Sequence, residues 1–171
     1  AMHAGLANFF TPDDIRIANL VGALNQIDNG VTTMADWHHN NPTPDHSDAA
    51  IDGLEASGIR AVFLHGSAKP DPKPGQKHFS EIPMNAAEVA RLRKGRLGDD
   101  SALVTMGLAI LGPQWSVEAV TLQDLRMGQE FDLVTSMHHS DATMPAPDGY
   151  LRAAEAGLIG PHVNVVHGNR L

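Results

Sequence analysis

The chain contains no cysteine. Disulfides and thiolate-bound metals are thereby excluded, and a metal would have to be held by imidazole, carboxylate or neutral oxygen. Aromatic residues make up only 5% of the chain, so its core must come from Val, Leu, Ile, Met and Ala. A basic surplus is missing too. Twelve Lys and Arg against twenty Asp and Glu leave a net charge of -8, the wrong sign for a nucleic-acid face. The longest apolar stretch, residues 103–111, is too short to cross a bilayer. The opening AMHAGLANFF lacks the basic and apolar regions of a secretory signal, and a cytoplasmic location is expected. Phosphate-loop, dinucleotide, nucleophile-elbow and H-E-x-x-H motifs are all absent, which leaves phosphoryl transfer, nicotinamide chemistry and serine hydrolysis without support.

What is present alternates. Thr11-Pro12-Asp13-Asp14 opens a helix, with a capping hydroxyl, a first-turn proline and acids at the positive dipole end. Gly30 follows that helix as a left-handed stop. Short apolar runs at 31–35, 59–64, 103–111, 132–137 and 163–166 read as strands. Each consecutive pair is separated by a helical segment: 45–57, 85–96, 117–129 and 146–160. Asn85-Ala86-Ala87-Glu88 has capping-box spacing. This alternation predicts an α/β fold with a parallel sheet, and one domain over residues 1–171. Residues 67–83, with four prolines and three lysines, form the one long connection, read as a solvated connector or as a lid.

Ten histidines are present, and they are not scattered evenly. His38 and His39, His65, His138 and His139, and His167 follow four of the five strands, and Gln114 follows the other. In parallel α/β folds, ligand-binding groups sit on the loops after the strand C-termini, so these side chains are expected at one rim. Neutral imidazoles gathered there suit a borderline divalent metal. Any one strand-end histidine taken alone is more often structural. His3, His46, His78 and His162, in the N-terminal segment, helix starts or loops, read as solvated.

GVTTMADWH at 30–38, followed by SGIRAV at 57–62, resembles the second and third strands of the amidohydrolase superfamily. The branch it looks like holds cytosine deaminase and the triazine hydrolases. Ser136-Met137-His138 and Val165-Val166-His167-Gly168-Asn169 resemble the fifth and sixth strands, so the likeness spans about residues 10–171. The resemblance implies a partial TIM barrel, strands two to six of a (β/α)8 fold, in a metal-dependent hydrolase acting on C–N bonds of a small cyclic or amide-like substrate. It implies zinc or iron as cofactor, with His138 as metal ligand. His167 would orient substrate or metal-bound water, and Asp141 falls where many relatives carry a proton-shuttling glutamate. Trp37, His38, His65 and Gln114, at the other strand ends, are the candidates for contacting substrate.

The family's first-strand H-x-H pair and last-strand aspartate have no counterpart here. The expected chain is therefore an incomplete barrel, inactive alone and weak in metal binding. Exposed edge strands favour a homo-oligomer. The competing expectation is a non-catalytic oligomeric fragment, or an open-sheet small-molecule binding module of flavodoxin-like size.

Overall fold

The computed structural model describes residues 5–140 and 143–168. Five strands carry the fold: β1 (Thr33–His38), β2 (Arg60–Gly66), β3 (Val104–Ala109), β4 (Val134–His138) and β5 (Val163–Val166). Six helices accompany them: α1 (Pro12–Asp28), α2 (Pro44–Ser57), α3 (Ala86–Lys94), α4 (Gly112–Trp115), α5 (Glu118–Glu130) and α6 (Gly149–Glu155). All strand pairs are parallel, in the order β1-β2-β3-β4-β5. A sequential order means that each crossover steps the same way around the sheet, which curls it into a half-barrel. A flavodoxin-like sheet would instead interleave its first two strands, in the order 2-1-3-4-5. The open-sheet alternative is therefore overturned by the topology.

Local chemistry explains the elements. The Thr11 hydroxyl accepts from Asp14 N–H (3.3 Å) while the Asp14 carboxylate accepts from Thr11 N–H (2.8 Å), a reciprocal cap at the start of α1. Gly58 closes α2 at φ 75°. At α3 only half of the expected box forms: Asn85 Oδ1 accepts from Ala87 and Glu88 N–H, while the Glu88 carboxylate turns to Arg91. β3 stops at Ala109, short of the apolar run, because Leu111, just before α4, has already left the extended conformation (φ -67°, ψ -37°) and Gly112 turns the chain at φ 62°. A Cβ at Gly112 would sit 2.8 Å from Met137 Sδ, so the turn also needs the missing side chain. The last helix is shorter than its sequence pattern, covering Gly149–Glu155 only.

The core lies between one face of the sheet and the helices. Ala61 and Phe63 of β2, Val104, Met106 and Leu108 of β3, and Met137 of β4 pack against Ile51, Leu54, Val89, Leu92 and Leu125. Alternation then sends Trp37, Val62, Gly107, Ser136, His138 and Asn164 to the opposite, concave face. Gly107 is held small there by Leu64 and the Val134 carbonyl. No helix among the described residues is long and apolar enough to cross a membrane.

His46, expected to be solvated, is instead buried. Its ring bridges Thr43 Oγ1 (2.7 Å) and the Phe10 carbonyl (3.0 Å), tying the N-terminal segment to the start of α2.

One buried carboxyl stands apart from this apolar layer. Asp124 of α5 is fully inaccessible; its Oδ1 accepts from Met84 N–H (3.0 Å) and its Oδ2 has no partner. Burial pushes its pKa up to about 7. The folded state thus holds a proton that the unfolded chain releases near pH 4, and this group loses stabilising influence as pH rises from about 4 to 7. His65, whose pKa burial depresses to about 4, works in the other direction: acidification from about 6.5 to 4 costs stability. Asp124→Asn keeps the Met84 hydrogen bond and removes the first effect. Urea unfolding at pH 5 and pH 8 should show the variant gaining on the wild type at the higher pH; an unchanged difference would refute a neutral Asp124.

Candidate functional site

Parallel pairing aligns the strand ends. His38 stands beside His65 in the β1–β2 register, and His138 beside Val166 in β4–β5. Parity then divides the candidate residues between two faces of the sheet.

On the concave side, four residues from three strand ends meet. The Trp37 ring sits 4.1 Å from the His138 ring, centroid to centroid, in an edge-to-face arrangement. The His138 ring lies 5.3 Å from His167. Trp37 Nε1–H donates to His39 Nε2, which fixes the His39 ring against the same wall. A cavity of about 310 Å³ is lined by these four with Lys69 and Trp115. Lys69 Nζ lies 5.1 Å from the Trp115 ring centroid, a cation–π contact, and burial lowers its pKa. His138 is depressed below the usual imidazole value by burial, with the His167 ring and the Lys69 ammonium adding to it. A neutral imidazole here is ready to accept a proton, a hydrogen bond or a metal. His167 itself sits at φ 63°, a left-handed conformation rare for a side-chain-bearing residue, which swings it back over the strand ends.

The other candidates lie elsewhere. His38 packs against Phe63 (centroids 5.4 Å) on the helix side, with Nδ1 3.4 Å from Asp36 Oδ2. That carboxylate also accepts from Asn19 Nδ2 of α1 (2.8 Å), and the same amide donates to the Ala50 carbonyl of α2 (3.2 Å), so Asn19 joins β1, α1 and α2. His65, also on the helix side, borders a different, larger cavity. Gln114 is buried in α4, where its Oε1 accepts from Ser140 N–H (2.9 Å) and positions the segment after β4. Asp141 falls outside the described residues. His39, expected at the rim with the other strand-end histidines, lines the concave cavity, and Lys69 and Trp115 join it without having been named as site residues. His39 could have been separated from His38 by parity alone, since Trp37 and His39 share a face.

His39, His138, His139 and His167 all line this cavity, and His39 Nε2 is taken up by the Trp37 indole, whereas a catalytic zinc site groups three protein ligands around one point. Among the described residues no three His, Cys, Asp or Glu side chains are grouped to hold a metal ion. The described groups do not make a complete metal centre.

With this geometry, comparison with solved structures becomes informative. A triazine hydrolase variant superposes with a TM-score of 0.71 at 20% identity, over 92% of this chain and 38% of that one. The zinc complex of atrazine chlorohydrolase from Arthrobacter aurescens TC1 gives 0.68 at 18% identity, again over 92% and 38%. An adenosine deaminase from Xanthomonas campestris with bound zinc gives 0.66 at 14% identity, over 96% and 37%. What they share is the fold. The five-stranded unit is a part-barrel of the kind found in these proteins, and the chain spans less than two-fifths of their length. No protein-family profile matches the chain, and no curated protein sequence does.

The tightest packing at the rim is at Gly66, where a Cβ would lie 2.5 Å from His39 Nδ1 and 2.8 Å from the His38 carbonyl. Gly66→Ala should therefore displace the His39 ring and cost about 1–3 kcal/mol of stability. Denaturant unfolding together with the His39 ring resonances would test this; unchanged resonances would show that the rim has room.

Proposed function

We propose that this chain is the imidazole-bearing part of a metal-dependent amidohydrolase-type enzyme acting on C–N bonds of a small cyclic or amide-like substrate. One observation carries the reading. His138 and His167, from adjacent parallel strands, come within 5.3 Å on the concave side of the strand C-termini, where barrel enzymes place their chemistry. Neighbours of the same fold are named for a triazine hydrolase and a deaminase, and two of those structures hold zinc. The edge-on Trp37 ring offers a flat apolar wall beside His138, suited to a planar heterocycle. His138, kept neutral, is the metal-ligand candidate, and His167 the group that orients what approaches it. Trp37 forms part of the substrate wall. His38, His65 and Gln114 support the rim from behind.

Because no three possible ligands are grouped to hold a metal ion among the described residues, the chain by itself should bind zinc weakly and hydrolyse nothing. Zinc titration followed on the histidine ring resonances tests the assignment. His138 and His167 should move together, and His138→Ala or His167→Ala should each weaken binding by at least ~10-fold. Zinc that binds tightly and stoichiometrically, or that perturbs other histidines first, would overturn it.

A further inference from the structure

The lysines of this chain do not share one environment. Lys73, Lys77 and Lys94 are exposed, whereas Lys69 is half-buried on the wall of the concave cavity that holds His138 and His167. The arginines Arg16, Arg91, Arg93, Arg96 and Arg152 each close onto a carboxylate. Lys69 does not. Among the described residues no carboxylate lies within ion-pair distance of its ammonium, and no acidic side chain lines the cavity. What it does meet is the face of Trp115, with Nζ 5.1 Å from the ring centroid. The ring attracts the charged form, but it accepts no full hydrogen bond from the three N–H donors. A cation drawn partly out of water with no anion beside it is an unbalanced charge, and it stands inside the site.

The rest of the wall is arranged around that charge. Lys69 reaches the cavity from the segment after β2, where Pro70 stiffens the backbone next to it. His138 and His167 enter from the ends of β4 and β5, and Trp37 from β1 lies against the His138 ring. The His39 ring is already held by the Trp37 indole, so it does not compete for a guest. At about 310 Å³ the space lies at the small end of ligand sites, enough for one ring with a short substituent.

We infer that Lys69 sets the substrate class of this site: a single flat ring carrying an anionic oxygen, which pairs with the Lys69 ammonium while the ring lies against Trp37 and faces His138 and His167. The inference rests on the concave cavity being the substrate site, as proposed above, and not on a metal being bound there.

Nicotinate and its uncharged, isosteric amide, nicotinamide, titrated into the zinc-free chain at pH 7, provide the test, read on the His138 and His167 ring resonances. Nicotinate should shift both rings saturably and bind at least ~10-fold more tightly than nicotinamide. That margin should shrink as salt is raised. Lys69→Met keeps most of the stem and should abolish the preference, while Lys69→Arg should retain it. Both variants should unfold at the wild-type midpoint, because no ion pair is lost. Equal binding of the two ligands, no saturable binding of nicotinate, or a preference that survives Lys69→Met would each overturn the inference. The metal assignment is decided separately by the zinc titration: a chain that selects nicotinate through Lys69 but binds zinc away from His138 keeps this inference and loses that one.

Discussion

Every polar group of interest in this molecule depends on the register of parallel strands. Trp37 pairs with Leu64, His38 with His65, and Met137 with Val165. Because side chains alternate faces, a slip of one residue in β1 or β4 would trade Trp37 for His38, or His138 for Met137, at the concave rim. The register is protected by apolar burial: Phe63, Met106, Leu108 and Met137 are inaccessible or nearly so, and a slip would bring them out to water. Packing on the helix side thus determines the chemistry on the other side. Gly107 and Gly66 add a second constraint, since each admits a neighbour that any side chain would push away.

The alternation of short apolar runs with capped helices was sufficient for an α/β architecture with strands in the expected places. Thr11 and Gly58 were legible as helix boundaries because their roles are local: a hydroxyl reaching three residues on, and a left-handed backbone. Extension of β3 to residue 111 was not borne out, because a positive-φ glycine packed against Met137 ends the strand, and that contact is 25 residues distant.

The candidate site was legible in part. Strand ends could be located, so His138 and His167 were recognisable as neighbours across a sheet. Facing was the harder question. His38 and His65 share the expected position along their strands and yet turn toward the helices, where one meets Phe63 and Asp36 and the other Asn41. The pattern could have shown this, since each lies two residues from an inward-facing partner, but a row of histidines draws attention to composition over parity. His46 shows the opposite error: a polar residue at a helix start looks solvated until the Phe10 carbonyl, 36 residues away, is found to need a donor.

The segment after β2 runs between two hollows. Ala68 and Pro70 border one, while Lys69 between them reaches into the other and lies over Trp115. Three consecutive residues thus form a party wall between the two. A guest that shifts this wall from either side changes the fit on the other, and by thermodynamic reciprocity the two occupancies alter each other's free energy equally.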